Sequence, residues 1–208
     1  MIEYTIRITD DPDCESPRVD GCNAEHFCFS HRRYKLCDEG EEFDVGDYAG
    51  WDELSDFLLK ERGAVVMFTV SMTDHSALHL YTGEPRDRWD AGVIGFAYFT
   101  AADIENVIPS YKYPEDRIVR KDIIEKLLKI VDEDLDIFSN WLNGYCKGYA
   151  IENPSGEIVA SCAGFYTEEA AMAAAKEEVE YLKQHDADYP SPDLPLEFKD
   201  EDQKEIAE

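Results

Sequence analysis

The sequence predicts a single α+β domain over residues 1–184, with a mostly antiparallel sheet, about three helices and an acidic tail over 185–208. Three observations carry this prediction. Residues 2–9 alternate, with Ile2, Tyr4, Ile6 and Ile8 on one face of a strand. Residues 124–142 keep a three/four apolar rhythm for five turns. Two strand-like runs are joined by Asn153-Pro154-Ser155-Gly156, in which each residue favours a turn for its own reason.

Between the first strand and the next periodic segment, residues 10–47 lack sustained periodicity and are rich in Asp, Glu, Gly, Pro and Cys. That is long for an unstructured connection in a compact domain, so a functional loop or short elements are expected there. Trp51, Leu54, Phe57 and Leu58 fall at helical spacing, and Gly63 stops that helix. The apolar run 64–72 reads as a buried strand, and 77–82 and 92–100 as two more, separated by the polar turn 83–90. The long helix is opened by Pro114-Glu115-Asp116 and ended by Asn143-Gly144, with Ile124, Leu127, Leu128, Val131, Leu135, Phe138 and Leu142 forming its stripe. A hairpin over 145–152 and 157–166 follows. Thr167 then caps a helix in which Met172, Ala175, Val179 and Leu182 recur at helical spacing. From His185 onward, three prolines, nine acids and two lysines give a net −7, the composition of a disordered tail.

Charge sets this chain apart. Its 208 residues carry 47 acids against 20 bases, a formal −27, and removing the tail still leaves −20. Such a surface repels nucleic acid and anionic lipid and attracts basic protein patches. Salt adaptation, plain solubility and imitation of a phosphate backbone each account for it, although Lys (11) outnumbers Arg (9), against the lysine loss of halophile proteins. No apolar run reaches the length of a membrane span and no basic-then-apolar leader opens the chain, so a cytoplasmic protein is expected.

Cys14, Cys22, Cys28 and Cys37 lie near His26 and His31, but without the tight C-x-x-C knuckle of a structural zinc site; no metal and no cofactor are expected. Cys146 and Cys162 read as small core residues within strands. Asp74-His75-Ser76 offers an acid, a base and a nucleophile, yet neighbours in sequence point different ways, so a polar turn is the expectation and no catalytic residue is assigned. His31-Arg32-Arg33-Tyr34 is the one dense basic spot, its arginines expected to pair with nearby carboxylates. Trp89, before a strand with two glycines, reads as a core-corner residue. Two acidic runs remain: Asp38, Glu39, Glu41, Glu42, Asp44 and Asp47, and Asp132, Glu133, Asp134 and Asp136 on the helix face away from the apolar stripe. Acids near a helix C-terminus oppose the macrodipole by ~0.3–1 kcal/mol each, so local stability did not select the second run.

Taken in order, Ser16-Pro17-Arg18, His31-Arg32-Arg33-Tyr34 with Asp38, Asp74-His75-Ser76, Arg88-Trp89-Asp90-x-Gly92-x-x-Gly95-Phe96 and Cys162-Ala163-Gly164-Phe165-Tyr166 resemble a family of small acidic bacteriophage and plasmid proteins of unknown function. The resemblance spans roughly residues 4–184; this chain has Cys37 where the family pattern has glycine. It implies a mobile-element context in a bacterial host, where small acidic proteins are often anti-restriction or anti-CRISPR inhibitors, several of them DNA mimics. The expected function is therefore stoichiometric inhibition, anti-CRISPR above all, through an acidic surface that occupies the basic groove of a nucleic-acid-binding protein. The two acidic runs are the expected contact residues. An enzyme or small-molecule binder using His31-Arg32-Arg33-Tyr34 and Asp74-His75 is the alternative, and a scaffold whose charge only confers solubility is a third reading. A two-fold dimer would lengthen any mimic, but no segment signals its interface.

Overall fold

The computed structural model describes residues 3–19, 23–87, 89–115 and 118–185. Residues 185–208 were expected to form the tail. His185 instead ends a helix, and the rest of that segment lies outside the described residues.

Two antiparallel sheets replace the single sheet expected. The larger has the order β2-β5-β3-β4, formed by His26–Phe29 (β2), Ala64–His75 (β3), Ala77–Thr82 (β4) and Ala91–Thr100 (β5). The smaller has the order β1-β6-β7, formed by Thr5–Asp10 (β1), Lys147–Glu152 (β6) and Ile158–Phe165 (β7). Periodicity located the strands, but partner choice depends on which helix covers each face.

The long helix α3, Lys121–Leu142, lays Ile123, Leu127, Val131, Leu135 and Phe138 on the larger sheet, against Phe27, Phe29, Val70, Met72, Leu80 and Phe99. Helix α1, Trp51–Glu61, covers the opposite face with Leu54 and Leu58 against Cys28, Phe96 and Tyr98. Alternate residues of β2 and β5 therefore enter two cores, which is why β5 reads as an unbroken apolar run. The smaller sheet takes one cover, α4, Glu168–His185, through Ala175, Val179 and Leu182 against Tyr149 and Ile151.

Four α-helices are described instead of about three. The missed one is α2, Ala101–Val107, too short for periodicity to reveal. Its signal was local: Thr100 and Asp103 form a reciprocal capping box. Helix α3 starts at Lys121, later than Pro114 suggested. Strand β3 runs on to His75, so Asp74 and His75 are strand residues and Ser76 alone turns the chain, at φ 46°.

Inside residues 10–47, β2 was invisible because four residues cannot establish a period. It pairs with β5 at close range. A Cβ on Gly95, at φ 148°, would sit 2.1 Å from the Cys28 carbonyl oxygen. Two cysteine expectations divide: Cys146 is buried, whereas Cys162 is exposed on β7.

Candidate functional site

The first acidic run does not form one exposed loop. Asp38 is drawn inward, accepting from Arg18 Nε at 2.9 Å, from Arg18 Nη2 at 2.7 Å and from the Phe27 amide at 2.7 Å. Glu41 is also largely covered, with Oε1 3.7 Å from His26 Nδ1 and 3.9 Å from Arg62 Nη1. Glu39, Glu42, Asp44 and Asp47 stay exposed. Two of these hold the loop's own backbone: Glu42 accepts from Gly40 N at 2.7 Å and Asp44 from Gly46 N at 2.8 Å. Hydrogen bonds from the backbone amides of Glu42 and Gly40 keep the Glu42 carboxyl below its ordinary range, so this corner of the loop holds its negative charge into mild acid.

On α3, Asp132, Glu133 and Asp136 are exposed. Asp132 accepts from Thr82 Oγ1 at 2.7 Å, and Glu133 lies 3.4 Å from Lys129. Asp134 departs from the expected outward face: it is half-buried beside Glu25. Seven of the ten predicted contact carboxylates are therefore presented to solvent, and three serve the interior.

Those inward carboxylates reveal a group that the sequence did not. Arg18, its side chain 7% exposed, also donates to Glu25 Oε1 at 2.6 Å and to the Glu25 carbonyl at 2.9 Å, and lies 3.6 Å over the Phe27 ring. The two acidic runs thus touch at one guanidinium, Asp38 directly and Asp134 through Glu25. Three carboxyls share one cation. The Glu25 side chain is fully buried, and burial first, then the Asp134 charge, pushes its carboxyl up to about 7 against the pull of Arg18. Burial likewise raises Asp134. Glu25 Oε2 is buried and finds no donor. Burial raises both carboxyls of this pair, which favours a retained proton on it.

Comparison with known proteins finds no family model, no curated protein and no solved structure that matches this chain. What the site can do follows from its own residues.

The alternative segments converge. Ser30, His31, Arg32, Arg33, Met72, Asp74 and residues 89–94 line one groove at the end of the larger sheet. Arg33 forms an ion pair with Asp74, and the Asp74 amide donates to the Asp90 carbonyl at 2.9 Å. His75 Nδ1 lies 3.6 Å from Asp90 Oδ2. The arginines were expected to pair within their own loop; Arg33 instead reaches across to β3. Trp89 corrects a second expectation. It is 88% exposed, held out by a turn in which Asp87 Oδ1 accepts from the Trp89 amide at 2.7 Å. No hydrogen bond joins Ser76 to His75 among the described residues, and Ser76 sits in the turn itself.

Neither groups of acidic and thiol side chains with ligand geometry nor long apolar helices occur among the described residues. Cys28 and Cys37 instead converge as thiols on one acceptor, the Glu41 carbonyl, at 3.6 and 2.8 Å.

Proposed function

We propose that this chain is a stoichiometric inhibitor of a host nucleic-acid-binding defence protein, an anti-CRISPR protein in the first instance, that occupies a basic groove with its acidic surface. The observation that carries this reading is the exposure of Glu39, Glu42, Asp44 and Asp47 on one loop and of Asp132, Glu133 and Asp136 on α3, in a chain whose charge outside the tail is −20. Duplex DNA carries one charge per roughly 1.7 Å of its axis, so a protein that competes for its groove needs many dispersed carboxylates. The partner is a basic protein; nucleic acid itself is repelled. The resemblance to phage and plasmid proteins supplies the defence context.

Steering by such a field raises association rates to ~10⁸ M⁻¹s⁻¹ or more at low salt. Competition gel shifts with guide-loaded CRISPR effectors and with restriction enzymes, each at two salt concentrations, test the reading. One of them is expected to lose its DNA, and to regain it at high salt. Replacing Asp132, Glu133 and Asp136 with lysine should slow association by about tenfold at low salt and by much less at high salt. DNA binding left intact across the panel defeats the proposal.

A second reading, a small-molecule site, is favoured by one observation. The Arg33–Asp74 ion pair and the His75–Asp90 contact gather three sequence segments around a single groove.

A further inference from the structure

We propose that this groove binds a small ligand combining a planar aromatic ring with an anionic group, of the nucleoside monophosphate class, with Arg32 holding the anion and the Trp89 indole stacking on the ring. The inference rests on the small-molecule reading of the groove and is independent of the acidic-surface proposal.

The charge inside the groove differs from that of the rest of the protein. Asp74 is matched by Arg33, and Asp90 Oδ2 lies 3.6 Å from His75 Nδ1. Arg32 is exposed and has no carboxylate partner among the described residues, so the groove sets two guanidiniums against two carboxylates in a chain whose net charge is −27. His31 is held below its ordinary pKa by burial, then by Arg33 and Arg32, so it stays neutral; it stacks on Tyr34 at 5.0 Å and accepts from the Arg33 amide at 3.3 Å. An anion that elsewhere meets repulsion finds here a forked donor suited to phosphate or carboxylate.

Shape supports the same class. Strand β2 ends at Phe29, its last tie to β5 being Ser30 N to Ile94 O at 2.8 Å. Ala91, Gly92 and Val93 therefore pair with β3 on one side and, among the described residues, with no strand on the other. Gly92 brings no side chain, and a Cβ there would meet nothing within 4 Å, so the floor is open. Trp89 stands at the rim as a bare aromatic face. An indole left that exposed is not serving a core, and stacking on a planar ring is a use its surroundings permit.

The test titrates the full chain with adenosine monophosphate, adenosine, inorganic phosphate and choline by calorimetry. Tryptophan fluorescence serves as a second readout. Adenosine monophosphate should bind saturably and quench tryptophan emission. Arg32→Ala should weaken it by at least about tenfold, the worth of one charge-assisted contact, without changing the melting temperature. Trp89→Ala should weaken the nucleotide while leaving inorganic phosphate unchanged. No saturable nucleotide binding to the wild type, or binding that Arg32→Ala leaves intact, overturns the proposal. Binding of choline in place of the nucleotide, abolished by Trp89→Ala, overturns the anion chemistry while the groove stands as a site for a cationic ligand.

Discussion

Arg18→Met is expected to lower the unfolding free energy by about 3–5 kcal/mol at pH 8, the cost of leaving a buried charge without its partner. Methionine keeps the stem but not the guanidinium that lies 3.6 Å over the Phe27 ring, so the loss reports the charge together with that cation–π contact. Without the guanidinium, Asp38 loses both side-chain donors and Glu25 loses its cation. Arg18→Lys should recover only part of the stability, because a single ammonium cannot fork to Asp38 and still reach the Glu25 carbonyl. Urea unfolding followed by far-UV circular dichroism measures this. A loss below about 1 kcal/mol would mean that solvent already stabilises the three carboxyls.

Glu25→Gln should remove the pH dependence that Glu25 confers on the same cluster. In the unfolded chain Glu25 ionises near its ordinary 4.5, in the folded chain near 7. Below about pH 4.5 both states hold the proton and nothing differs. Between the two values the folded state keeps a proton that the unfolded state has released, so stability falls as pH rises through that window. The fall is complete above pH 7 and amounts to about 3 kcal/mol at most. Glutamine keeps an acceptor for Arg18, offers an amide donor to Asp134 and does not titrate. The variant should therefore match the wild type near pH 4.5 and exceed it at pH 8, by roughly 6 to 12 °C in melting temperature. Parallel pH profiles for the two proteins would show that Glu25 does not titrate on unfolding. The two variants are coupled: the Arg18→Met loss should shrink at pH 5, where Glu25 carries its own proton.

Much of the fold was legible residue by residue. The stripe of α3, the 153–156 turn and the alternation of β1 are short-range patterns, set by periods of 3.6 and 2 and by turn chemistry. Helix α1 was placed within a residue for the same reason, Gly63 supplying the stop. The misses were elements too short to repeat, β2 and α2, and residues whose environment depends on distant chain. Trp89 resembled a core-corner residue because a strand with two glycines follows it, but Asp87 turns it outward. Cys162 lies on β7, at the edge of the smaller sheet.

The candidate site divides along the same line. Composition alone determined that this protein carries a large excess of carboxylates. Tertiary structure alone decided which carboxylates remain available. Asp38, Glu41 and Asp134 look like their neighbours in sequence, yet Arg18, Arg62 and Glu25 draw them inward. The pairing of Arg33 with Asp74 and the contacts of Asp74 and His75 with Asp90 bring three separate segments together at one groove. Net charge is a sum over residues, indifferent to order. Burial and ion pairing depend on contacts between residues far apart in the chain, and no local pattern encodes those.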